Sequence, residues 1–305
     1  MTKGDRDRAV QDFDQAIQVD PKNAQAYASR GLAYLSKGDY DRAIQDLDQA
    51  IQLDPKNTQV YASRGLAYSS KGDPARAIQD YDQAIQLDPK NAASYIVRGG
   101  AYESKGDHDR AIHDYDQAIQ LDAKSSLALV NRGLAYLRKG DPDRAIQDYD
   151  QAIKLDPTNG DAYVGRGDAY EIKDDPDRAI QDYGQAIQLK LKDDIYYAIW
   201  RYLARERAGE NGTAELEANA ARLNSKDWPY PVIELYLGRR SPAEVLSVAS
   251  NPDENCDARF YTGEWHLLHG NSAAAATGLQ AAAAVCPSDT FEYKGALAEL
   301  KRLNH

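Results

Sequence analysis

A period of 34 residues runs through the first two thirds of the chain and constrains its fold more than any other feature. Asp-Pro stands at Asp20-Pro21, Asp54-Pro55, Asp88-Pro89 and Asp156-Pro157, and Asp122-Ala123 keeps the same frame. Arg-Gly returns in register at Arg30-Gly31, Arg64-Gly65, Arg98-Gly99, Arg132-Gly133 and Arg166-Gly167. Arg-Ala does so from Arg8-Ala9 through Arg42-Ala43 and Arg76-Ala77 to Arg178-Ala179. Self-similarity at this spacing marks stacked supersecondary units. Aromatic usage agrees, with 21 Tyr against 3 Phe and 3 Trp, as expected when one residue type is reused at fixed places in a unit.

Each unit reads as two antiparallel helices. In Ala24 to Pro55, Tyr27, Ala28, Gly31, Tyr34 and Leu35 recur at helical spacing. Gly38-Asp39 ends that helix, because glycine takes the conformation that follows a helix end and aspartate caps the next one. The second helix carries Ala43, Leu47, Ala50 and Ile51 on one face, and Pro55 stops it. Pro74, Pro142 and Pro176 follow the break in later units, where proline suits a first helical turn. The small Gly31 and Ala43 allow close approach of the paired helices. These motifs, in this order and at this period, resemble the tetratricopeptide repeat (TPR) family. The resemblance implies an all-α, right-handed solenoid, since one hairpin cannot bury its apolar faces alone.

The frame divides the chain. Residues 1–23 hold the second helix of a truncated repeat, with Ala9, Val10, Phe13, Ala16 and Ile17 on one face. Residues 24–193 hold five complete repeats. After Asp193 the pattern decays, and the acids change from mainly Asp to mainly Glu. A divergent helical region spans 194–255, with helices expected at Ile195–Ala208, Ala214–Leu223, Pro231–Leu237 and Pro242–Ala249. A divergent repeat follows at 256–287, and a capping helix at 288–305 places Tyr293, Ala296, Leu300 and Leu303 on one face.

The C-terminal third carries Asp227-Trp228, Ile233-Glu234-Leu235-Tyr236-Leu237-Gly238 and Phe260-Tyr261-Thr262-Gly263. In these it resembles the NlpI-type TPR lipoproteins of Gram-negative bacteria. That resemblance implies a periplasmic, membrane-anchored, often dimeric adaptor for cell-wall enzymes and proteases. No lipidation cysteine or leader is visible here, so an anchor is not expected from this chain, and a cytoplasmic location is the alternative to a periplasmic one.

The two cysteines, Cys256 and Cys286, fall at the start of the first helix and the end of the second in the divergent repeat. An antiparallel hairpin brings those ends together, so the spacing predicts a disulfide. The alternative is two unrelated small apolar residues. A bond would favour an oxidising compartment.

Charge narrows the function classes. A net charge of −11 with no segregated basic patch argues against nucleic acid as a partner. The longest small-apolar run, Ala281 to Cys286, is far too short to span a membrane. His266 and His269 sit three apart, but no nearby carboxylate or cysteine completes a ligand set, so no metal is expected. His108 and His113 look like drift from the repeat. No Gly-x-Ser-x-Gly elbow or phosphate loop occurs. The carboxylates Asp46, Asp80, Asp114, Asp148 and Asp182 recur with Arg30, Arg64, Arg98, Arg132 and Arg166. They obey the repeat instead of breaking it, and read as inter-helix pairs worth little each at a surface. No enzyme activity and no cofactor are expected.

In the TPR family the first helices line a concave groove, and the resemblance assigns the facing positions. Leu32, Leu35 and Leu66 fall there, as do Ile96 and Glu103. So do Leu127, Val130, Leu134 and Leu137, and in the fifth repeat Asp161, Val164, Asp168 and Glu171. Ile96, Leu127, Val130, Leu134, Leu137 and Val164 would make an apolar strip for an amphipathic helix or extended peptide. Asp161, Asp168 and Glu171 would make an acidic end for a basic segment. The alternative is that the strip packs on the chain's own C-terminal helices. Only Asn131 matches the groove positions at which some TPR domains grip a peptide carboxylate, and the lysines are missing. The expected function is a protein-binding adaptor with an unnamed protein or peptide partner. The alternative is a homodimerising structural module with no peptide ligand.

Overall fold

The computed structural model describes residues 3–189, 194–223, 226–287 and 290–303, and contains only helices and turns among them. The chain forms two compact units, Met1–Gly140 and Asp141–His305. Unit 1 holds α1 (Lys3–Val19), α2 (Ala24–Ser36), α3 (Tyr40–Leu53), α4 (Thr58–Ser70), α5 (Pro74–Leu87), α6 (Ala92–Ser104), α7 (His108–Leu121) and α8 (Ser126–Arg138). Successive helices pack as antiparallel pairs, α2 on α3, α4 on α5 and α6 on α7, and each pair stacks on the next.

Three local devices, repeated in each hairpin, build this arrangement. Gly38, Gly72 and Gly106 take φ between 71° and 78°, a region that side chains resist. Asp39, Asp73 and Asp107 then cap α3, α5 and α7 by accepting the backbone N–H of Arg42, Arg76 and Arg110. Each of those arginines also lies over a tyrosine of the preceding helix, at 4.5–4.7 Å from the rings of Tyr34, Tyr68 and Tyr102. Close packing does the rest. A Cβ on Gly65 or Gly99 would stand 2.6 Å from the ring of Tyr81 or Tyr115, so only glycine admits those buried rings. Burying each large side chain contributes about 1.5–3 kcal/mol.

In α1, Val10 is buried with Tyr34 and Ala43, while Phe13, Ala16 and Ile17 are half-buried. The following hairpin therefore covers one side of this first helix.

Unit 2 continues with α9 (Pro142–Leu155), α10 (Gly160–Ile172), α11 (Pro176–Gln188), α12 (Asp194–Arg207), α13 (Thr213–Ala220), α14 (Tyr230–Tyr236) and α15 (Pro242–Val248). It ends with α16 (Pro252–Leu268), α17 (Ser272–Val285) and α18 (Phe291–Leu303). The division between units falls inside the run of repeats, and Lys190 to Asp193 lie outside the described residues. The first helix of the divergent repeat begins at Pro252, ahead of Cys256, because Asn251 caps it and Pro252 takes its first turn. The last helix begins at Phe291; Ser288 and Asp289 lie outside the described residues. One large core joins α11 to α18 around Ile199, Leu216, Ile233, Leu235, Phe260 and Tyr261. The divergent region is thus not an appendage, because its short helices bury their apolar residues against α12 and α16.

Cys256 and Cys286 are bonded, with Sγ–Sγ 2.16 Å and Cα–Cα 4.8 Å. The closed loop of 30 residues contributes roughly 3–4 kcal/mol by restricting the unfolded chain. A Cys256→Ser/Cys286→Ser variant is expected to lose about that much stability in the α16–α17 region, read as faster amide exchange there. Unchanged exchange would mean the bond supports nothing.

Candidate protein-binding face

The repeated Arg and Asp residues fix how the hairpins stack. Arg98 Nε and Nη2 bind both oxygens of Asp114 in its own hairpin, at 2.8 and 2.6 Å, and Nη1 reaches Asp82 of the preceding hairpin at 2.6 Å. Arg30 does the same with Asp46 and Asp14, and Arg64 with Asp80 and Asp48. In unit 2, Arg166 joins Asp182 and Asp150. The expectation of weak surface pairs needs correction. Asp46, Asp80, Asp114 and Asp182 are buried, and the Asp114 carboxylate is 1% exposed. Two-pronged contact with a planar guanidinium is what makes that burial tolerable.

With the stack fixed, the first helices of unit 1 present a common face. Leu32 (43% exposed), Leu66 (45%), Leu134 (40%) and Leu127 (59%) stand open on it. Leu35, Ile96, Val130 and Asn131 are half-buried, with Leu35 and Ile96 against the core. Leu137 is 7% exposed and belongs to the interior, a correction to its expected place in the strip.

Glu103, the acid expected on this face, is not free. Its carboxylate takes His108 Nδ1 at 2.8 Å and Arg138 Nη1 at 2.7 Å. Behind it the Tyr115 phenol is held well above its usual pKa, first by burial and then by the Glu103 charge. In the sequence His108 reads as drift from the repeat, and Arg138 is not singled out. Their signal was present, because His108 stands where Tyr40 and Pro74 stand in other units, and Arg138 where Ser36, Ser70 and Ser104 do. The result is a face whose one acidic intrusion is internally neutralised.

The corresponding face in unit 2 is built differently. Asp161 is exposed, and Val164 is half-buried against the C-terminal core. Asp168 accepts the Tyr183 hydroxyl at 2.9 Å, and burial, followed by the Glu171 and Glu292 charges, pushes its carboxyl up to about 7. Glu171 pairs with Arg207 of α12. Arg207 also reaches Glu264 at 2.5 Å and Glu299 at 3.4 Å. Arg302 of α18 binds Glu299 at 2.6 Å and Asp174 at 3.0 Å. The basic group that meets Glu171 is therefore the chain's own Arg207, and the C-terminal helices occupy this end.

His266 is half-buried and His269 exposed, the latter stacked on Trp265 at 3.8 Å. Among the described residues no helix is long and apolar enough to cross a membrane.

The tetratricopeptide repeat family model matches residues 1–58, 63–126 and 130–194, more than half of the chain. The chain belongs to the tetratricopeptide repeat family. Among solved structures, a tetratricopeptide repeat protein from Parabacteroides merdae matches with TM-score 0.60 and 18% identity, over 90% of this chain and 98% of that one. MamA matches with TM-score 0.50 and 29% identity, over 57% of this chain and 94% of that one. YrrB, described as a TPR protein with an unusual peptide-binding site, matches with TM-score 0.50 and 21% identity, over 63% of this chain and 97% of that one.

Proposed function

We propose that this chain is a non-enzymatic scaffold whose unit 1 receives the apolar side of a partner helix or extended peptide. The observation that carries this reading is the row of open leucines, Leu32, Leu66, Leu127 and Leu134, on a face where Glu103 is neutralised by Arg138. Leu32, Leu66 and Leu134 hold the same place in their units, with Gly100 there in the third, and Leu127 lies two turns ahead of Leu134. Apolar side chains left in water in this way gain free energy when a partner covers them. A charge-poor face selects against charged segments, which would lose water without gaining counter-ions. TPR repeats mediate protein–protein interaction as a class, and the peptide-binding site ascribed to YrrB is in keeping with this use. The Cys256–Cys286 bond and the NlpI-type resemblance of the last third support a place in an oxidising compartment such as the cell envelope.

A peptide-display selection tests the reading. The wild-type chain is expected to enrich peptides with apolar residues at helical or alternating spacing. Leu66→Glu/Leu134→Glu is expected to lose that enrichment while helicity and oligomeric state stay unchanged. Selection of Lys/Arg-rich peptides by both proteins would overturn it. If the variant instead broke an oligomer and no peptide was selected, the face would serve self-assembly.

A further inference from the structure

We propose that α18 is a proton-latched cover, with Glu292 set against Asp257 of α16 and within the electrostatic reach of Asp168 of α10, so that losing protons from this group loosens the helix. The Asp257 and Glu292 carboxylates, together with Cys256 Sγ, lie within 4.8 Å of one another. Asp257 is fixed in place, since its Oδ2 accepts the Tyr196 hydroxyl at 3.1 Å and Trp228 Nε1 at 2.8 Å. The ionisable groups facing Glu292 come from three elements: Asp257 and Tyr261 of α16, Asp168 of α10 and Tyr196 of α12. These named groups are acids or phenols. The fourth neighbour, α17, has no ionisable side chain at all. Two close carboxylates in a partly buried place cannot both ionise without repulsion. Burial first, and then the Asp257 charge, pushes Glu292 up to about 7, the level that Asp168 also reaches.

The remaining contacts of α18 are of another kind. Phe291 packs on Trp200 and Phe260 at 5.0 and 6.0 Å between ring centres, and Arg302 bridges Glu299 and Asp174. The Cys256–Cys286 bond ties the end of α17 beside Asp257, so loosening swings α18 and leaves the α16–α17 hairpin intact. Movement of α18 would expose Asp168 and offer an acidic site to a basic segment. None of this depends on what unit 1 binds.

Both carboxyls are raised in the docked chain, Glu292 by burial and then the Asp257 charge, and Asp168 by burial and then the charges of Glu171 and Glu292. Their contribution is therefore present in acid and is lost as pH rises through about 7. From about pH 6 to about pH 8, the docked-to-loosened ratio is expected to fall roughly tenfold per carboxyl. Amide exchange of residues 291–303, corrected for intrinsic rates, reads this directly, with α7 as the reference. Glu292→Gln keeps the shape and removes the charge, so it should abolish the Glu292 share of the fall, and Asp168→Asn/Glu292→Gln should abolish most of it, burial of Asp257 supplying the remainder. Equal protection of wild-type α18 at both pH values would overturn the latch. So would an unchanged fall in Glu292→Gln, or restoration at pH 8 by millimolar Ca2+ or Mg2+, which would make the pair a metal site. If the variants fail to fold, the carboxyl 13C titration of wild-type Glu292 decides: a midpoint near 7 supports the latch, and one near 4.5 overturns it.

Discussion

Replacing Asp114 with alanine is expected to lower the stability of the α6–α7 region by about 3–5 kcal/mol, the cost of breaking a buried ion pair from one side. Arg98 would keep only Asp82, whose carboxylate is 49% exposed, and its Nε and Nη2 would face a space from which water is largely excluded. The matched control is Asp82→Ala. That change removes the more exposed half of the same brace and is expected to cost about 0–1 kcal/mol. The asymmetry is the test, because both aspartates touch the same guanidinium at the same 2.6 Å. Amide exchange resolved by helix is the suitable measurement. A stack of repeats loses stability locally, and a chain of two units has no single unfolding free energy. Equal losses from the two variants would mean that burial does not set the worth of this brace.

That asymmetry also separates what the sequence shows from what it hides. Asp114 recurs in register with Arg98, and periodicity reveals that pair; Asp82 recurs too, with Gly184 in its last place, but is not singled out as a second partner. Periodicity does not reveal which is enclosed, because enclosure is set by the neighbouring hairpin. The alternation of helices from α2 to α11 was legible, since Gly-Asp and Asp-Pro punctuate most of them at fixed places, with Asp122-Ala123 and Asp174-Asp175 as substitutes. Leu137 was misplaced because helical spacing alone cannot tell an edge position from an interior one. Unit 2 was far less legible. Arg207, the partner of Glu171, lies 36 residues away, and Glu264, the next partner of Arg207, a further 57, on helices with no 34-residue repeat to set their register. Trp200 and Tyr261, joined by a 2.8 Å hydrogen bond between Nε1 and the hydroxyl, are likewise 61 residues apart. Contacts at such separation depend on how short, divergent helices fold back, and composition carries no trace of that.

The largest single effect in unit 2 is expected from Arg207→Met. This guanidinium serves Glu171, Glu264 and Glu299 together, and Glu264 is almost wholly buried. Burial already raises the carboxyls of Glu171 and Glu264, and Arg207 is what opposes the rise. Without it both would be raised further, and would hold their protons still more tightly in the folded chain than in the unfolded one. A carboxyl raised on folding contributes stability in acid and loses it as pH climbs through its folded value. Arg207→Met should therefore cost about 3–5 kcal/mol at mildly alkaline pH and distinctly less near the acid side of neutrality. The wild-type protein should show a much smaller change from these residues over the same range. Adding Glu264→Gln to Arg207→Met should recover part of the loss at high pH, because it removes the buried charge left without a partner. Thermal unfolding of the three proteins across pH, with exchange at α12 and α16 to locate the change, checks each step. A pH-independent loss in Arg207→Met would show that the arginine acts through packing of its stem, and the charge argument for this end of the molecule would then fail.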